Sequence, residues 1–208
     1  MSARIMRTCL LSETFDDGAI HPLQWLNPPS VWRIDPARSC LIVEPDTETD
    51  FWQRTHCGFR SDNGHFLGAE VSGNVIVTAR IRSYPAHQYD QAGLMVRFSS
   101  DCWLKTSVEF EPDSPSQLGV VVTNSGYSDW SLEDFPYGGE LSYCLRIRRT
   151  GEDFQVEHAT NENGPWRLMR VAHLFAEPGH PVLAGFYACS PKAPGYRAEA
   201  DFLRIELS

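Results

Sequence analysis

The stretch Asp90-Gln-Ala-Gly-Leu-Met-Val-Arg97 … Trp103-Leu-Lys-Thr-Ser-Val-Glu-Phe110 … Val120-Val-Val-Thr123 … Ser128-Asp-Trp-Ser131 decides how this chain folds. It reads as three successive β-strands and an exposed aromatic turn. Ala92, Leu94, Val96 and Phe98 alternate with Gln91, Gly93, Met95 and Arg97. Leu104, Thr106, Val108 and Phe110 alternate with Trp103, Lys105, Ser107 and Glu109. A period of two sends one row inward and the other to the opposite face. The back of this sheet is therefore dry, and its front carries Met95, Arg97, Trp103, Lys105, Ser107 and Glu109. Such a front has the character of a binding surface. Alternation alone allows either Lys105 or Trp103 to face Arg97 across the hairpin.

The same period runs outward in both directions, through 74–83, 143–148, 154–159, 166–172, 182–189 and 198–207. Turn signals punctuate it: Asp16-Asp-Gly18, Asp62-Asn-Gly64, Ser72-Gly-Asn74, Thr150-Gly151, Asn161-Glu-Asn-Gly164 and Pro178-Gly179. Glycine and asparagine accept positive φ there at little cost. No stretch reads as a convincing amphipathic helix, although 168–175 is ambiguous. Ten or more strands in one chain imply two packed antiparallel sheets or a closed barrel. No internal repeat points to a propeller. The chain is expected to be one domain over 1–208, with a loop-rich lead-in at 1–30 covering an edge and the sandwich core at 31–208. The terminal strand, 202–207, is expected to pair near the first.

Composition sets outer limits. The 208 residues are 42% apolar and 22% charged, an ordinary globular balance. A net charge of −9 argues against nonspecific nucleic-acid binding and against docking on anionic lipid. No run of about 18 apolar residues is present to span a bilayer. Arg4 and Arg7 interrupt the N-terminal apolar stretch, which makes a poor export signal. The six cysteines at 9, 40, 57, 102, 144 and 189 are scattered, several of them inside apolar strands. They read as reduced thiols in a cytoplasmic protein.

Four constellations can carry chemistry. On the front of the Asp90–Phe110 hairpin, Trp103 can stack on a sugar ring, and Arg97, Lys105 and Glu109 can bond hydroxyls or hold an anion. The bland counterpart is an ordinary solvated face. In Asp50-Phe-Trp-Gln-Arg-Thr-His56, an extended segment puts Asp50, Trp52, Arg54 and His56 on one side. The turn at Asp62-Asn-Gly64 would then return His65 toward His56. That set suits ligand contacts or plain structural roles, and its spacing matches no common zinc pattern. Glu109 and Glu111 share a face if the strand continues, at a separation near that of a retaining glycosidase, but Pro112 interrupts it. Finally, Asn124–Ser131 holds Tyr127 and Trp130 near a strand end, either as a rim or as a plug for the core.

At these residues the chain resembles a known family. Thr49–Phe59, Asp62-Asn-Gly-His-Phe66, Gln91–Arg97, Trp103-Leu-Lys105 with Glu109, Val121-Val-Thr123 and Ser128-Asp-Trp-Ser131 carry the resemblance. So do Gly164-Pro-Trp166 with Arg170, and Ser190-Pro … Gly195. It is to the concanavalin A-like proteins of unknown function typified by the fungal "regulation of enolase" protein and its bacterial relatives. The resemblance implies an all-β, concanavalin A-like jelly-roll sandwich of two packed antiparallel sheets. It implies no established activity. Glucanases of that superfold carry Glu-x-Asp-x-Glu on an unbroken strand; the order here is Glu109, Glu111, Asp113 with a proline inside. Cys57 stands where relatives have an aromatic residue, so its thiol is not an expected ligand.

The expectation is thus a sandwich that binds a small polar ligand, a carbohydrate or sugar-derived metabolite, without catalysis, cofactor or metal. Arg97, Trp103, Lys105 and Glu109 would line a concave sheet, with Trp52, His56, His65, Tyr89 and Trp130 at its rim. The groove requires that Arg97, Lys105 and Glu109 share one concavity. Two alternatives are a glycoside hydrolase using Glu109 and Glu111, and an intracellular protein-interaction or regulatory module.

Overall fold

The computed structural model describes residues 8–135 and 141–208. Residues 1–7 of the expected lead-in, including Arg4 and Arg7, lie outside them. Every regular element in the described residues is a strand: β1 (Cys9–Glu13), β2 (Gln24–Leu26), β3 (Val31–Asp35), β4 (Cys40–Glu44), β5 (Phe51–Gln53), β6 (Arg60–Asp62), β7 (His65–Val71), β8 (Val75–Tyr84), β9 (Gln91–Ser99), β10 (Cys102–Glu109), β11 (Ser116–Asn124), β12 (Tyr127–Phe135), β13 (Leu141–Thr150), β14 (Asp153–Ala159), β15 (Arg167–His173), β16 (Val182–Cys189) and β17 (Arg197–Leu207).

Two antiparallel sheets pack face to face. One runs β15-β14-β13-β8-β17-β4-β3, with β1 also paired to β17; the other runs β12-β11-β10-β9-β16-β7-β2. The inner rows of both form the main core. Val77, Ala79, Ile81, Leu145, Ile147 and Leu203 meet Leu94, Val96, Leu104, Val108, Val120 and Phe186 there. Burying each large apolar side chain contributes roughly 1.5–3 kcal/mol against chain entropy. The ambiguous stretch 168–175 lies largely in strand β15. There Met169 and Ala172 pack on the core, while Leu168 and Val171 stay exposed.

The lead-in is more ordered than its prolines imply. β1 pairs with β17, as expected for the first and last strands, and β2 extends the other sheet beside β7. Phe15 and Leu23 between them are buried in the core.

A third element matters most for the site. β5 and β6 pair only with each other, as a two-stranded hairpin lying over the outer face of the β9–β10 sheet. Its turn is Arg54–Phe59, with positive φ at Arg54, His56 and Gly58. This corrects the expected turn at Asp62-Asn-Gly64, which instead connects β6 to β7. Arg54 and His56 consequently lie in the turn, not on an extended strand. Beneath the hairpin, Phe51 joins Phe66, Met95, Trp103, Val121, Tyr187 and Cys189 in a second apolar cluster. The centre of that sheet is therefore dry on both faces.

Candidate functional site

The β9–β10 register sets the site. Trp103 faces Arg97, Lys105 faces Met95, Ser107 faces Gly93 and Glu109 faces Gln91. Arg97 thus neighbours Trp103, which resolves the ambiguity left by alternation. Gly93 marks a close backbone approach rather than a hollow: a Cβ there would lie 1.8 Å from the carbonyl oxygen of Thr106.

The hairpin divides the expected groove in two. Trp103 does face the outer side, but Phe51 covers it edge-on at 6.3 Å and its ring is fully buried. Its Nε1 donates to the Ser100 carbonyl. Arg97 is held by Asp62 of the hairpin through two hydrogen bonds. His65 is 3% exposed and wedged between loops. Its Nδ1 donates to the Asn27 carbonyl, so its Nε2 accepts from the Asp46 amide. None of these three lines the remaining cavity, which corrects their placement in the site. The requirement that Arg97, Lys105 and Glu109 share one concavity fails at Arg97, because the hairpin occupies that end of the sheet.

What remains is a cleft of about 440 Å³ between the hairpin and β10, β11 and β12. It brings together the other six expected residues: Lys105, Glu109, Trp52, His56, Tyr89 and Trp130. It adds Asp50, Thr55, Cys57, Phe59, Val121, Ser128 and Asp129. Trp52 and Trp130 meet at right angles with ring centroids 6.5 Å apart. Trp52 is fixed by a hydrogen bond from its Nε1 to the Thr55 carbonyl. The Trp130 indole lies over Gly119, where a Cβ would sit 2.5 Å from its Nε1. The hairpin itself is pinned by the Gln53 amide, which donates to Ser128 Oγ at 2.9 Å.

The floor is polar and ordered. Lys105 Nζ donates to Asp50 Oδ1 and to Gln91 Oε1, each at 3.1 Å. Gln91 Oε1 also accepts from the Tyr187 hydroxyl, and Gln91 Nε2 donates to Glu109 Oε2 at 2.8 Å and to the Tyr89 carbonyl. That amide links the ammonium to the second carboxyl. Burial works most strongly on Lys105, against its charge, but Asp50, Cys189 and Glu109 together outweigh it and hold the ammonium above the usual lysine range. Burial raises the Glu109 carboxyl to about 8 against the pull of Lys105, with Asp50 and Glu111 adding to the rise.

Sequence reading left Gln91 and Tyr187 out of the site, and named Asp50 without assigning it there. Gln91 was legible in principle, because it shares the front-face row and any tight β9–β10 turn brings it opposite Glu109. Glu111 does not line the cleft, although its charge reaches Glu109. It lies past the end of β10 and accepts a hydrogen bond from Gln88. The Glu109–Glu111 pair therefore does not form in the cleft. Among the described residues no group of three His, Cys, Asp or Glu side chains is disposed to hold a metal ion.

The family described as "Protein of unknown function (DUF1349)" matches residues 25–208. The chain belongs to that family. A relative in Saccharomyces cerevisiae, "Regulation of enolase protein 1", is 35% identical over 175 residues, 83% of each chain. The solved structure of a functionally unknown protein from Saccharomyces cerevisiae superposes with TM-score 0.82 at 28% identity, covering 91% of this chain and 98% of that one. A xylan beta-1,4-xylosidase from Bacillus halodurans C-125 gives TM-score 0.71 at 14% identity. It matches 94% of this DUF1349 chain but only 38% of the xylosidase, a likeness of fold alone. The expected family resemblance and the all-β sandwich of two packed sheets both stand.

Proposed function

We propose that the cleft binds a small polar ligand, a carbohydrate or sugar-derived metabolite, and holds it without catalysing its conversion. The observation that carries this reading is the juxtaposition of two partly exposed indoles, Trp52 and Trp130, with the Asp50–Lys105–Gln91–Glu109 floor. Aromatic faces favour the C–H face of a sugar ring, and fixed polar groups select its hydroxyls. The cavity size falls in the usual range for small-molecule sites. A hydrolase using Glu109 and Glu111 finds no support, since only Glu109 lines the cleft.

Thermal unfolding against a panel of mono- and oligosaccharides and sugar phosphates tests the proposal. A ligand at about 100 times its Kd adds about 2.7 kcal/mol, a shift of several degrees. The shift should vanish in Trp130→Ala. A panel without any shift, or one whose shifts survive that substitution, overturns the reading.

A protein partner is the second reading. Leu132 of β12 and Leu168 of β15, about half exposed, line one shallow depression together. The yeast relative's name ties that protein to regulation of enolase. Loss of partner binding in Leu132→Ser, with the sugar panel silent, is the outcome this second reading expects.

A further inference from the structure

The cleft floor is unequally charged. Asp50, Glu109 and Asp129 line it, with Lys105 and His56 as the basic groups, and Asp129 is already paired with Arg170 at 3.3 Å. The Lys105 ammonium is 4% exposed and already committed to Asp50 and Gln91. It also lies 5.9 Å from the Trp103 ring centroid and 5.5 Å from that of Tyr187. Its third N–H takes no acceptor among the described residues, but its charge is already balanced by Asp50. Gln91 has no spare donor, because its two N–H groups go to Glu109 and Tyr89 and its oxygen takes Lys105 and Tyr187. The carboxylates differ. Asp50 Oδ1 accepts from Lys105 and from the Phe51 amide, and Glu109 Oε2 accepts from Gln91. The second oxygen of each takes no hydrogen bond from the described residues. A ligand entering beside Trp52 and Trp130 meets unspent acceptors and π faces, and no lysine or arginine without a partner among the lining residues.

We infer that the cleft selects an amine-bearing ligand, an amino sugar or an aminated sugar derivative, whose ammonium pairs with the unspent floor carboxylates, and that it turns away phosphorylated sugars. This rests on the reading of the cleft as a small-ligand site. Carboxylates supply charge-assisted hydrogen bonds to an ammonium, and the aromatic walls add cation–π attraction. A phosphate would face the Asp50 carboxylate instead, with no unpaired lysine or arginine among the lining residues to receive it. The raised Glu109 carboxyl fits the same picture. Lys105 is the one cation against it, while Asp50 and Glu111 repel its charged form. An arriving ammonium supplies the missing counter-charge, so Glu109 ionises and releases its proton on binding.

Isothermal titration calorimetry at pH 6.5 tests this with glucosamine and its β-1,4 dimer against glucose, cellobiose and glucose 6-phosphate. The amine-bearing members should bind at least tenfold tighter than their neutral counterparts, and glucose 6-phosphate should bind weakest. Repeating the titration in two buffers of different ionisation enthalpy should show proton release for the amines alone. Glu109→Gln, checked for folding by circular dichroism, should shrink the amine preference. Equal affinity for glucosamine and glucose, or tighter binding of the phosphate, overturns the inference and leaves the cleft as a sugar site. Silence from all five probes overturns both.

Discussion

Arg97 grips Asp62 with two parallel hydrogen bonds, Nη1 to Oδ1 at 2.7 Å and Nη2 to Oδ2 at 2.8 Å. One residue belongs to the sheet and the other to the hairpin above it. The guanidinium also lies 5.8 Å from the Phe51 ring centroid, so the pair and the ring together hold both hairpin strands down. Hydrogen bonds between charged groups in such settings contribute about 1.5–3 kcal/mol. Arg97→Met should cost about that much. Hydrogen exchange should accelerate chiefly at 51–62, with β8 and β17 little changed. A uniform acceleration across the sandwich would show that this pair stabilises the whole fold rather than the hairpin.

The two tryptophans of β10 and β12 should behave oppositely. Trp103 is fully buried among Phe51, Met95 and Tyr187, whereas Trp130 is 41% exposed at the cleft mouth. Trp103→Ala should lower stability by about 3–5 kcal/mol, the usual cost of emptying an aromatic core site. Trp130→Ala should cost well under half of that and remove ligand response. Urea unfolding of the two variants decides it; comparable losses would refute the assignment of Trp130 to a cleft wall.

Glu109 should make the fold pH-sensitive in an unusual direction. Its carboxyl is raised from 4.5 to about 8 in the folded chain, so the folded state holds a proton that the unfolded chain has already released across that interval. The stabilisation is present in full below about pH 4.5 and is lost as pH rises toward 8, by up to about 1.4 kcal/mol per pH unit. Glu109→Gln removes this dependence. Denaturant midpoints at pH 5, 7 and 9 should therefore show the variant gaining on the wild type as pH rises. A constant gap would mean that the carboxyl is already ionised at pH 5.

The sandwich was legible because period-two alternation is a direct imprint of one buried face. The rows Leu94–Val96 and Leu104–Val108 point inward as their spacing demands. The front face was legible as a face, but its cover was not. Met95 and Trp103 look like ligand contacts in the sequence because the residue that covers them, Phe51, is more than forty positions away. A chain segment burying an apolar surface and a ligand burying it leave the same mark on the strand beneath. The hairpin itself was misplaced by one turn signal. Asp62-Asn-Gly64 has ideal turn chemistry, yet Gly64 is a packing position, where a Cβ would meet the Phe51 ring at 2.5 Å. The actual turn uses positive φ at Arg54 and His56, residues that give no such warning. Six of the nine expected contacts still converge on the cleft, since strand alternation and local aromatics fix them. The three that do not, Arg97, Trp103 and His65, are set by partners distant in sequence.

One wall of the cleft rides on a hairpin that shares no strand ladder with either sheet, and its turn residues 54–59 are bonded largely to one another. That makes the turn a cassette. Randomising Thr55, His56, Cys57 and Phe59 while keeping the anchors Phe51, Gln53 and Asp62 gives a library in which selectivity is rewritten and the scaffold is left alone. Selection for new ligands on this chain can therefore begin from four codons within a five-residue stretch.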